Sequence, residues 1–111
     1  MSAILSTFPV SKIQARDVAS DLDLSTEELL AVLSLAREVK RNPSRFASAL
    51  SGRYLSLLFE KPSLRTRLTF ELAIKQLGGD AVTSVGPIGD REPLKDIARN
   101  LDRWTNCIVA R

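Results

Sequence analysis

The chain has 111 residues, 44% hydrophobic and 26% charged, with a net charge of +3 and an isoelectric point near 9.4. This hydrophobic fraction excludes a disordered chain, and the length suits one domain of ordinary size. Histidine is absent and Cys107 is the single cysteine, which excludes a Ser/His or Cys/His nucleophile, an internal disulfide and any metal site of familiar spacing. No apolar run reaches the roughly 18–20 residues of a membrane span, so no membrane is expected among its partners. Met1 to Ser20 has no basic stretch followed by an apolar one, so no secretory signal is expected. With a lone thiol, this points to the cytoplasm. The basic balance permits nucleic-acid binding, but acids are interspersed and aromatic residues at 5% give no ladder for stacking bases. No nucleic-acid partner is expected.

Ser25-Thr26-Glu27-Glu28 has the form of a capping box, and a helix is predicted from there to about Arg41, ended by Asn42-Pro43. Leu29, Val32, Leu33, Ala36 and Val39 or Lys40 trace its expected buried stripe. Residues 44–50 suggest a short helical turn closed by Gly52. The run Tyr54-Leu55-Ser56-Leu57-Leu58-Phe59 reads as a buried strand beginning near Arg53. A second helix is predicted from near Ser63 to the stop signal Gly78-Gly79, with Phe70, Ala73, Ile74 and Leu77 on one face. Asp80 to Val85 reads as a second strand, Gly86 to Arg91 as a loop, and Pro93 as the opening of a third helix with the stripe Leu94, Ile97, Ala98 and Leu101. Cys107 to Arg111 reads as a third strand. Trp104 and Cys107 are expected in a core or an interface, and Lys95, Asp96 and Arg99 on an exposed helix face with local ion pairs.

Alternation of helix and strand predicts an α/β fold with a parallel sheet joined by right-handed crossovers. Three strands would leave two open edges. Residues 1–111 are therefore expected to form one partial domain, the first half of a doubly wound one.

The turn between the first strand and the second helix carries the chemistry. Lys61, Arg65 and Arg67 lie at or before the start of a helix, and no acid follows until Glu71. A helix N-terminus already holds a partial positive charge, so each exposed cation there costs roughly 0.3–1 kcal/mol. A shared anion resolves the conflict: free backbone N–H groups, the Ser63 and Thr66 hydroxyls and an arginine fork make a ready phosphate site. The same residues also fit a solvated basic helix start with Ser63 as a plain N-cap. Ligands of open α/β sheets bind beyond the carboxyl ends of the strands, where three segments are predicted to converge: residues 63–67, the 86–91 loop and Arg111.

These residues carry a resemblance. Phe59-Glu60-Lys61-Pro62-Ser63-Leu64-Arg65-Thr66-Arg67, then Phe70-Glu71 and Gln76-Leu77-Gly78-Gly79, resembles the carbamoyl-phosphate loop and following helix of the aspartate/ornithine carbamoyltransferase family. Glu92-Pro93-Leu94-Lys95-Asp96-Ile97-Ala98-Arg99 and Ile108-Val109-Ala110-Arg111 resemble its third-helix segment and the strand that ends in a substrate-binding arginine. The resemblance implies that Ser63, Arg65 and Thr66 hold the phosphate of carbamoyl phosphate with help from the Leu64 N–H. Arg111 would reach the carbamoyl carbonyl or the phosphate. Arg65 and Arg111 would then be the catalytic residues, stabilising charge on the oxyanion and the leaving phosphate as an amine attacks. Neither a protein nucleophile nor a cofactor is implied. Lys61 and the Lys95-Asp96 pair favour ornithine over aspartate as acceptor, and relatives act as trimers, so a homo-oligomer is expected. Arg67 is expected in a structural salt bridge.

The chain also departs from the pattern. Leu64 stands where many relatives have Thr, and Ile97 replaces a common Thr. Gly86-Pro87-Ile88 supplies no Gln or Lys to a neighbouring subunit. The family's His-Pro-x-Gln segment is excluded by the missing histidine, Cys107 lies outside the family's cysteine motif, and the amino-acid-binding domain is not present. Two other functions compete with carbamoyl transfer to ornithine: anion binding without transfer, and nucleic-acid binding by the basic turn.

Overall fold

The computed structural model describes residues 12–111. The reading of Met1 to Ser20 against a secretory signal lies outside the described residues as far as residue 11. The chain forms two compact units, divided after Phe46.

In the first unit, helix α1 spans Thr26–Arg41 and a 3-10 turn spans Pro43–Phe46. The capping box forms as predicted. Ser25 Oγ accepts the Glu28 N–H at 3.1 Å and the Glu28 carboxylate accepts the Ser25 N–H at 2.8 Å. The other Glu28 oxygen accepts the Gln14 N–H at 2.7 Å. Two backbone donors favour the ionised carboxylate, with Ser25 the stronger, and hold Glu28 below the usual carboxylate range. The predicted buried stripe is not buried: Leu29 is 42% exposed and Leu33 57%. A helix buries its stripe only against a second layer, and among the described residues of this unit the main element packed on α1 is the short 3-10 turn.

The second unit holds strand β1 (Tyr54–Phe59), helix α2 (Leu64–Gln76), strand β2 (Asp80–Val85), helix α3 (Leu94–Trp104) and strand β3 (Cys107–Ala110). The sheet is parallel throughout in the order β2-β1-β3. The continuous apolar run of β1 is explained by its central place. Leu55, Leu57 and Phe59 are buried on one face with Ile74 of α2, flanked by Ala81 and Val109. Ser56 points to the other face, where its hydroxyl lies 2.7 Å from Thr105 Oγ1, which donates to Leu101 O at the end of α3. A buried polar side chain in a central strand is thus fully partnered.

Two edges remain open, and β2 is largely exposed. Trp104 is 70% exposed and Cys107 is exposed, so neither belongs to this core. Trp104 ends α3 and Cys107 opens β3, an outer strand of the sheet. Lys95, Asp96 and Arg99 do lie on an accessible helix face, but no ion pair forms there among the described residues. The two bases are one turn apart, and Asp96 sits in the first turn of α3, where the helix dipole already favours it.

Candidate functional site

Backbone pairing continues past the strands and fixes the site. The Arg111 N–H donates to Leu58 O and the Glu60 N–H donates to Arg111 O, both at 2.9 Å. Residue 111 is therefore locked beside the exit of β1. From there its guanidinium turns onto the start of α2. Nη1 donates to Ser63 Oγ at 2.7 Å and to Thr66 Oγ1 at 2.8 Å. Ser63 and Thr66 are three residues apart, so they share the face of the first turn that looks toward β3.

Ser63 is not a plain cap. Its φ and ψ are −144° and 84°, and its side chain accepts no bond from the helix backbone. The first α2 amide with a backbone partner is Arg67, which donates to Ser63 O at 3.0 Å. The N–H groups of Leu64, Arg65 and Thr66 have no partner among the described residues, as expected of a helix start that no side chain closes. Glu60, Lys61, Pro62, Ser63 and Arg111 line an open depression of about 280 Å³ beside this turn.

The cations divide by role. Arg67 lies 3.7 Å from Glu71, which Lys75 also approaches at 3.1 Å, so Arg67 sits in the expected salt bridge. Among the described residues, neither Arg65 nor Lys61 has a carboxylate within ion-pair distance. The outcome is a corner where a helix start with three open amides, two hydroxyls and Arg65 adjoins the depression lined by Lys61, Ser63 and Arg111, with Arg65 and Lys61 free of ion pairs among the described residues. It can hold an oxyanion and stabilise negative charge that grows on it.

The predicted convergence of three segments is only partly realised. The turn after β1 and the residue after β3 touch. The 86–91 loop lines a separate depression of about 460 Å³ with Leu58, Ser84 and Ile97. The strand order explains this, because β2 and β3 flank β1 on opposite sides and their exits stand about two strand spacings, roughly 10 Å, apart. Glu60 was given no role in the sequence, yet it lines the depression beside the turn. Its place directly after the last β1 residue was the available signal.

Residues 16–111 match the family model described as aspartate/ornithine carbamoyltransferase, carbamoyl-P binding domain. The chain belongs to the aspartate/ornithine carbamoyltransferase family. An ornithine carbamoyltransferase of Vibrio sp. (strain 2693) is 49% identical over 92 residues, which are 80% of this chain and 31% of that protein. The solved ornithine carbamoyltransferase of Pyrococcus furiosus superposes with a TM-score of 0.84 at 33% identity, over 92% of this chain and 34% of its own. A mutant N-acetyl-L-ornithine transcarbamylase, solved with carbamyl phosphate and N-succinyl-L-norvaline, has a TM-score of 0.77 at 34% identity, over 87% of this chain and 33% of its own. The parallel α/β fold predicted from the alternating elements is thus found in solved relatives. The chain spans about a third of the length of the relatives it matches. Among the described residues, no group of three or more Cys, Asp or Glu side chains is placed to hold a metal ion, and no helix is long and apolar enough to cross a membrane.

Proposed function

We propose that this chain is the N-terminal part of a carbamoyltransferase and binds carbamoyl phosphate for transfer to an amino-acid amine, ornithine, giving citrulline and phosphate. The observation that carries this is the Arg111 guanidinium held on Ser63 and Thr66 at the open N-terminus of α2. In this reading the phosphate sits on the Leu64, Arg65 and Thr66 amides and the two hydroxyls. The Arg65 side chain neutralises it from the helix side. The donors of Arg111 not used on the hydroxyls face the carbamoyl carbonyl. As the amine attacks, charge grows on that oxygen and then on the departing phosphate. Both are met by donors already in place, which lowers the barrier without a protein nucleophile.

Ornithine as acceptor is supported by the relatives, which are named ornithine carbamoyltransferases. The remaining parts of the proposal follow the family: residues 1–111 as part of a carbamoyl-phosphate domain, a trimeric assembly, a cytoplasmic location and a role in arginine synthesis. The test is a titration of the chain with carbamoyl phosphate, followed by a citrulline assay with ornithine. Saturable binding is expected. Binding without citrulline would favour the second reading, an anion-binding module. No binding at all would refute both. Arg65→Ala should weaken binding by about 10- to 100-fold, the value of one charge-assisted hydrogen bond, with helix content by circular dichroism unchanged. Unchanged affinity would remove Arg65 from the site.

A further inference from the structure

Strand β3 carries little information about its own register. Cys107, Ile108, Val109 and Ala110 are all apolar, and among the described residues this outer strand pairs with β1 alone. In the observed pairing Leu55 stands beside Cys107 and Leu57 beside Val109. Cys107, Val109 and then Arg111 therefore take the face of the sheet on which α2 lies. A slip by one residue would put Ile108 and Ala110 on that face and carry Arg111 to the opposite one. One apolar pair would replace another, so side-chain burial hardly separates the two registers. The slip would nonetheless take Arg111 away from Ser63 and Thr66.

The discrimination is made at the opposite end of the strand, where the chain leaves α3. Asn106 bonds both backbone groups of Tyr54: its N–H donates to Tyr54 O and its side-chain Oδ1 accepts the Tyr54 N–H, both at 2.9 Å. Thr105, just before it, gives its hydroxyl proton to Leu101 O at 3.0 Å and therefore accepts from Ser56 Oγ at 2.7 Å. Ser56 is 1% exposed, so a slipped register leaves a buried hydroxyl without that partner. We propose that Asn106 and Thr105 are positioning residues that set the register of β3 and thereby deliver Arg111 to the α2 face of the sheet. This rests on the carbamoyl-phosphate reading, which gives Arg111 its task.

The register is read without ligand, from nuclear Overhauser contacts between β1 and β3. In the native chain Leu58 and Glu60 should show contacts to Arg111, whose backbone they bond. In Asn106→Ala and in Thr105→Val, part of the molecules should show those contacts to Ala110 instead. Carbamoyl phosphate affinity, titrated on the resonances of folded molecules, scales with the fraction in register and should fall in each by about two- to tenfold, the register preference that one hydrogen bond supplies. Asn106→Asp keeps an acceptor oxygen at the same place, so it should keep the register and an affinity within about twofold of native. A merely structural role would lower the urea midpoint of Asn106→Ala while leaving the Arg111 contacts and the affinity of folded molecules unchanged, and that result would overturn the proposal. The two substitutions remove separate bonds, so if one variant fails to fold the other decides. Loss of folding in both would also overturn it, because residues that only choose a register are not needed for the fold. A native chain that shows the Arg111 contacts and binds no carbamoyl phosphate would instead overturn the reading beneath.

Discussion

Replacing Gly79 with alanine tests how the sheet is joined to α2. The φ of Gly79 is not in the left-handed region, so the backbone itself accepts alanine. The space does not. An added Cβ would lie 2.7 Å from Arg53 O and 2.9 Å from both Ile74 Cδ1 and Cγ1. Arg53 O is the acceptor of the Asp80 N–H at 3.0 Å, the first bond that sets β2 beside β1. Ile74 is buried in the core against Leu55, Leu57 and Phe59. Both neighbours are therefore held from behind, and the added methyl must push one of them. Overpacking costs about 1–3 kcal/mol and a loosened hydrogen bond about 0.5–1.5, giving about 1.5–4.5 kcal/mol together. Gly52→Ala is the control. Gly52 has φ +75° but nothing within 4 Å of the new Cβ, so only the left-handed penalty of about 1–2 kcal/mol applies. In urea unfolding followed by far-ultraviolet circular dichroism, Gly79→Ala should lower the midpoint by about 1–2 M, and by more than Gly52→Ala. Anion binding by the molecules still folded should change little, because the corner is built on the β1–β3 side of the sheet. A Gly79→Ala midpoint no lower than that of Gly52→Ala would refute the steric argument.

Leu57→Ala removes a side chain with no exposed area from the middle of the central strand, and should destabilise by about 2–5 kcal/mol in the same assay. Glu28 predicts a pH effect. Its carboxylate titrates below its ordinary value because the Ser25 and Gln14 amides favour the ionised form. The stability it contributes is therefore complete above the unfolded carboxylate range and is lost as pH falls through the lower folded value. Melting temperatures measured from about pH 6 down to about pH 3 should fall less steeply in Glu28→Gln than in the native chain. Identical slopes would show that the capping box carries no such linkage.

The elements were legible because each has its own local signal. Ser25 and Glu28 announce α1, and Asn42-Pro43 ends it. Gly78, with φ +93°, takes the left-handed position that closes α2. The first strand begins at Tyr54, not Arg53, because Arg53 already gives its N–H to Leu50 O in the preceding turn. Exposure was not legible. Periodicity states which face of α1 is apolar and does not state whether anything lies on it, so Leu29 and Leu33 were expected inside and are not. Trp104 was expected in a core or an interface, and its exposure excludes only the core of this unit. The place of β1 between its neighbours, and the Ser56–Thr105 pair across 49 residues, depend on long-range pairing that no local window contains.

At the site, simple helix arithmetic separates two arginines that look alike. Four residues beyond Arg67 stands Glu71, and the two pair at 3.7 Å. Four residues beyond Arg65 stands Thr69, which has no charge to offer and whose hydroxyl bonds back to Arg65 O. One cation is thus satisfied within its own helix, while the other keeps its charge at the helix end where the dipole opposes it. Ser63 was harder to read, since a serine before a helix fits both a cap and a ligand. What takes it out of the cap is Arg111, 48 residues away, which reaches it because β3 lies parallel beside β1. A cap bond would have closed the turn with the chain's own hydroxyl. By accepting from Arg111 instead, Ser63 leaves the first amides of α2 open, which is the condition the proposed oxyanion site requires.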